Sequence, residues 1–256
     1  MKAASVILIV IVLVTAATLL AGCSAIDSGP TVTKTYDFTG FTGVEAGSAF
    51  KVDIVRSENF SISVTLSEKI ADRLNVTKTG DTLHIDFKEP VLNFRGRPLA
   101  TITLPDLRSL DLSGATEVTA KGFKSSNNFN LEVSGASGLD MDMETGNFKA
   151  DISGASKING YLKAASSDIN VTGASRITLT GSSGDITIDI SGASRASLDN
   201  FAVGNAFIQL SGAGQASMLI NGNLDANLSG ASRLVYSGKP TLGKLDVTGG
   251  STLKQK

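Results

Sequence analysis

Eight hydroxyl residues recur in one setting from residue 113 onward, each followed by glycine. They are Ser113, Ser134, Ser153, Thr172, Ser191, Ser211, Ser229 and Thr248. A serine beside glycine is the kind of group that acyl-transfer enzymes use as a nucleophile, and it then needs a base within hydrogen-bond reach. The chain holds one histidine, His84, and it lies outside the repeats. Eight copies of a nucleophile with one distant base make no catalytic sense. His84 reads instead as a polar face residue of a strand.

Two other sets of side chains recur with the same interval. Two residues before each hydroxyl stand Asp111, Glu132, Asp151, Asn170, Asp189, Gln209, Asn227 and Asp246. All are acids or their amides. Four residues after it stand Glu117, Gly138, Lys157, Arg176, Arg195, Gln215, Arg233 and Thr252, a set whose middle is basic. Asp151, Asp189, Asp246, Lys157, Arg176 and Arg195 form the candidate binding face. Calcium is the sharper reading of the acids, but it needs several oxygens converging on one point. A flat ladder does not provide that, so the acids read as a solvated structural face, with amides between acids to relieve repulsion. If a corner brings the two sets together, they pair weakly across it. No metal or other cofactor is expected.

The element that positions these sets is a solenoid. The tetrapeptide Ser-Gly-Ala-Ser and its variants begin at intervals of 21, 19, 19, 19, 20, 18 and 19 residues. A fixed period of that size marks stacked coils. Leu112, Val133, Ile152 and Val171 precede the hydroxyls by one, and Leu110, Leu131, Ala150 and Ile169 precede them by three. This alternation predicts an inward-facing strand in every coil. Val118, Leu139, Ile158 and Ile177, five residues after the hydroxyl, begin a second strand. Gly184-Asp185, Gly204-Asn205 and Gly222-Asn223 read as turns before the first strand. The fold class is therefore all-β, a parallel β-helix of about 19 residues per coil. The tetrapeptide becomes its corner: glycine for the backbone angle, alanine where space is short, hydroxyls bonding backbone groups.

Residues 34–110 are β-patterned without the repeat and precede the β-helix of residues 111–256, which is expected to be continuous with them. Phe50-Lys51-Val52-Asp53-Ile54 and Leu83-His84-Ile85-Asp86-Phe87 alternate with period two. Thr79-Gly80-Asp81-Thr82 reads as a hairpin turn. Ser67 is placed to cap a short helix running toward Asn75.

Residues 1–23 combine Lys2, an apolar run from Ala3 to Leu20, and Leu20-Ala21-Gly22-Cys23. One positive charge, a hydrophobic run and small residues read as a secretory signal. The last four residues resemble a bacterial lipobox, which implies a lipid on Cys23 and cleavage before it. Residues 24–33 are then a tether. An uncleaved membrane anchor is the alternative. Both place the rest of the chain outside the cytoplasmic membrane. With lipidation, that means the outer membrane of a host that has one, and otherwise the outer face of the cell membrane. Four Asn-x-Ser/Thr sequons, at Asn59, Asn75, Asn170 and Asn227, matter only in a host that glycosylates.

Composition removes other classes. The net charge is −1, which gives no basic face for nucleic acid. One cysteine rules out an internal disulfide. Gly is abundant at 27 residues and Pro scarce at five, which suits repeated tight corners.

Three stretches carry a family resemblance. Phe38-Thr39-Gly40-Phe41-Thr42-Gly43-Val44, Phe50-Lys51-Val52-Asp53-Ile54 and Leu104-Pro105-Asp106-Leu107 through Ala115, with the spaced Ser-Gly-Ala units, resemble the head-GIN, autotransporter-adhesin-like domain family. The resemblance implies an adhesin-like lipoprotein and carries over no binding residues. The expected function is thus a surface-anchored, non-catalytic adhesion, binding or structural module of the cell envelope. Its expected partners are the membrane through Cys23 and a glycan or protein ligand. A second copy is a further one, since an open solenoid end invites pairing. A polysaccharide-active β-helix enzyme is the alternative. Its carboxylates would be clustered, whereas here they form a column, and aromatic residues for sugar platforms are only 5% of the chain.

Overall fold

The computed structural model describes residues 29–91 and 96–256. Strands joined edge to edge dominate it, and the parallel β-helix expected from the period is its framework. Within the repeats each paired residue of one coil lies beside its counterpart 17 to 21 positions away. Lys157–Val171 pairs in parallel with Gly138–Ile152 on one side and Arg176–Ile190 on the other. The alternating apolar residues point inward and form one continuous stack, with Leu131, Ile169, Ile188, Ile208 and Leu228 at most 1% exposed. No single coil encloses a core, so burial comes from the neighbours above and below.

The tetrapeptide is the corner, and its glycine explains the repeat. Gly173 has φ +79°, and a Cβ on it would lie 2.4 Å from the carbonyl oxygen of Gly154 in the preceding coil. Both facts exclude a side chain. That carbonyl accepts a hydrogen bond of 2.8 Å from the Ala174 amide. The same bond recurs from Ala136 to Gly114 and from Ala231 to Gly212, so the corners are laced into a ladder of their own.

Alanine, by contrast, does not fill a confined space. Ala136, Ala155, Ala174, Ala193, Ala213 and Ala231 are exposed. The confined position is the fourth one, where Thr116, Ser156, Ser175, Ser194 and Ser232 are at most 2% exposed. Their hydroxyls meet backbone groups inside the turn: Ser156 Oγ donates to the Ser153 carbonyl at 2.8 Å. A buried hydroxyl with a backbone acceptor avoids the desolvation penalty that would otherwise exclude it.

The turns expected at the other end of the coil differ along the solenoid. Gly184-Asp185 lies inside the strand Arg176–Ile190, where the inward phase shifts without a break. Gly204-Asn205 separates two strands, as expected, and a bend at Asn221-Gly222 leads into the strand Asn223–Leu228.

Parallel coiling does not begin at residue 111. Gly43–Ala46 pairs with Ser109–Leu112, and Lys51–Arg56 pairs with Glu117–Lys124. Residues 43–56 therefore form a coil of their own, with Gly47-Ser48-Ala49-Phe50 at the corner. On its far side lie Thr82–Phe87 and Leu99–Leu104. These two coils run in the reverse of their chain order. Antiparallel strands cover that end: Ser61–Ser67 on Leu99–Leu104, Leu74–Thr79 on Thr82–Phe87, and Thr31–Tyr36 on Ser61–Ser67. The hairpin at Gly80 is present, and the helix behind Ser67 is a 3-10 turn, Glu68–Arg73. A strand begins at Thr31, so the last three residues of the expected tether, 31–33, are already in ordered pairing. At the other end, Leu242, Leu245 and Val247 occupy the inward columns yet are 36–50% exposed.

Candidate functional site

The strand before the corner carries the acidic column. Parallel register places Asp111, Glu132, Asp151, Asn170, Asp189, Gln209, Asn227 and Asp246 side by side. Glu45 extends it beyond Asp111, and His84 stands beyond Glu45. His84 Nδ1 lies 2.8 Å from Glu45 Oε2. Glu45, Asp111, Glu132 and Asp151 are thus four consecutive carboxyls about 4.8 Å apart, along a shallow groove that also admits Ser134 and Ser153. Burial pushes the Asp111 carboxyl above its ordinary value, and the charges of Glu132 and Glu45 push it the same way. The next part of the column is relieved by an amide, with Asn170 Nδ2 donating to Asp151 Oδ1 at 2.9 Å. Among the described residues, no three His, Cys, Asp or Glu side chains converge as a metal site would require.

The strand after the corner carries the basic column. Lys157, Arg176 and Arg195 are adjacent in register and all exposed. Arg195 donates to Gln215 Oε1 at 2.6 Å, and Arg233 follows Gln215. Glu117, at the head of the column, is held by Arg97 at 2.5 Å, and the Arg97 hydrogen bond lowers its pKa. Lys51 stands beside Glu117.

The structure keeps the two columns apart. Among the described residues no ion pair joins them across the corner, and Asp151 has its cation, Lys149 at 4.0 Å, on its own strand. Asp151, Asp189 and Asp246 therefore belong to one wall, and Lys157, Arg176 and Arg195 to the adjoining one. The exposed Gly-Ala ridge runs between them. Glu45 and Lys51 were missed as members because residues 47–50 depart from the tetrapeptide. Their spacing was the available signal: Glu45 lies two before Gly47 and Lys51 four after it. Cys23 lies outside the described residues, and among those described no helix is long and apolar enough to cross a membrane.

The family model described as "Putative auto-transporter adhesin, head GIN domain" matches residues 40–240. The chain belongs to this family. The match spans the reversed pair of coils together with nearly all of the repeats. Solved structures of low sequence similarity share the fold. A "putative adhesin" from Parabacteroides merdae has 19% identity and a TM-score of 0.83, covering 89% of this chain and 97% of that one. A "Putative lipid binding protein" from Parabacteroides distasonis has 16% identity and a TM-score of 0.82, with the same coverage of each chain. A second "putative adhesin" from Parabacteroides distasonis has 16% identity and a TM-score of 0.79, covering 89% of this chain and 98% of that one. Comparison with curated proteins finds no match.

Proposed function

We infer that this head GIN chain is a non-catalytic adhesion or binding module of the cell envelope, anchored by a lipid on Cys23. The observation that carries the reading is the pair of charged columns. They form regular walls on a rigid stack, suited to a repetitive ligand more than to one small substrate. Family membership and the adhesin names of structural relatives support it. Enzymatic polysaccharide cleavage is the weaker reading, because the carboxyls follow the repeat and His84 is engaged with Glu45 at the end of the row. The lipobox at Leu20-Ala21-Gly22-Cys23 supports an extracytoplasmic location.

The test is made in cells. Palmitate labelling of the full chain is expected, with loss of label in Cys23→Ser. Label retained by that variant rejects the anchor. Cells producing the full chain are then compared, for adherence to immobilised surface glycans, with cells lacking it. Equal adherence rejects the adhesion reading.

A further inference from the structure

We propose that the Lys157-Arg176-Arg195 strip seats a linear acidic polysaccharide laid along the solenoid axis, with one anionic group per coil. The proposal deepens the binding-module reading and rests on it.

Charge balance is the first argument. Parallel register sets Lys157 against Arg176 and Arg176 against Arg195. Like charges directly opposed on neighbouring strands are destabilising. Several other cations of the solenoid wall are paired: Lys121 with Asp140, Lys124 and Lys163 with Glu144, Lys256 with Asp199. Among the described residues, none of Lys157, Arg176, Arg195 and Arg233 has a carboxylate at ion-pair distance. The one side-chain contact, from Arg195 to Gln215, is to a neutral amide. The strip therefore holds uncompensated positive charge, and an anion laid over it relieves the repulsion.

Shape is the second. The cations rise about 4.8 Å per coil in a single row. On the corner side they are bordered by Ala155, Ala174 and Ala193, which present only methyl groups. On the other side the next outward column places Asn159, Thr178 and Ser197 in register. These short neutral side chains can give and accept hydrogen bonds, as sugar hydroxyls require. The result is a straight, unobstructed track whose charge repeats with the coil, and an extended polymer with regularly spaced carboxylates or sulfates fits it.

The surroundings argue against other polyanions. No aromatic ring lines the grooves along the strip, whereas proteins that hold single-stranded nucleic acid stack bases on aromatic side chains. No large exposed apolar side chain flanks Lys157, Arg176 or Arg195 in their groove, as a helix or wall embedded in anionic lipid would need.

The experiment uses the full-length chain in mild detergent. Binding is measured to polygalacturonate, dextran sulfate, uncharged dextran, a single-stranded oligonucleotide and phosphatidylglycerol vesicles. The two acidic polysaccharides are expected to bind and dextran is not. Their relative affinity shows whether carboxylate or sulfate is preferred. Arg176→Gln combined with Arg195→Gln should weaken binding about tenfold at low salt, with circular dichroism and unfolding midpoint unchanged. Asp168→Asn, an exposed site outside both columns, should leave binding as it is. Three results overturn the proposal: no binding to either acidic polymer, undiminished binding by the double variant, or tighter binding to oligonucleotide or vesicles. The cell assay separates the two readings. Polymer binding in a chain that makes no difference to adherence rejects the adhesion reading and leaves the strip standing. A chain that supports adherence while its double variant binds the acidic polymers undiminished rejects the strip alone.

Discussion

A single glycine per coil sets how tightly the corners stack. Gly173→Val would force a side chain onto a backbone at φ +79° and into the Gly154 carbonyl. We expect a loss of about 3 kcal/mol or more in urea unfolding. Asp189→Ala, exposed on the wall beside it, should change stability by less than about 0.5 kcal/mol. The fourth corner position gives a sharper contrast. Ser156 Oγ has its backbone acceptor, whereas Ser137 Oγ is buried without a partner. Ser156→Ala should cost about 1 kcal/mol, and Ser137→Ala should be neutral or stabilising. A similar loss from both would show that the corner hydroxyls act through packing alone. Asp111 adds a pH dependence. Its folded pKa is raised, so over the interval between the ordinary and the raised value the folded chain holds a proton that the unfolded chain has released. Stability therefore falls as pH rises through that interval. Asp111→Asn should be more stable than the parent above it and equal to the parent at lower pH, read from denaturation midpoints across a pH series.

At the scale of the element, each strand depends on the ones it touches. The central strand Arg176–Ile190 has a partner on both sides along its length. The final strands Thr241–Val247 and Thr252–Gln255 have a partner on one side only. Equivalent apolar positions should therefore differ in weight. Ile188→Ala removes a side chain with 0% exposure and should cost about 3 kcal/mol. Leu245→Ala, in the same inward column but 36% exposed, should cost under about 1 kcal/mol. Equal losses in thermal unfolding would mean that Leu245 is covered in solution.

Across the whole molecule, the two ends are treated differently. At the first, antiparallel strands and the Glu68–Arg73 turn cover the edges of the outermost coil. Between the ends the stack turns a small repeated unit into two long columns, one acidic and one basic in its middle. They adjoin at the Gly-Ala ridge without neutralising each other, which leaves each available to a ligand of the opposite sign.

The sequence alone determined the coil, because a local requirement repeated at a fixed interval is visible without a structure. The glycine of each corner, the inward alternation around Ile188 and the membership of Asp189 and Arg195 in separate columns all follow from spacing. Only the tertiary structure decided the rest. That alanine is exposed and the fourth hydroxyl buried depends on which side of the turn faces the core. That Gly43–Ala46 and Lys51–Arg56 form a coil depends on pairing with partners more than sixty residues away. Sequence spacing is blind to such contacts, because strand pairing is a matter of backbone hydrogen bonds that carry no residue label. The same holds for the separation of the charged walls. Residues six apart in the chain diverge there, because a corner held by glycine turns their strands onto different faces.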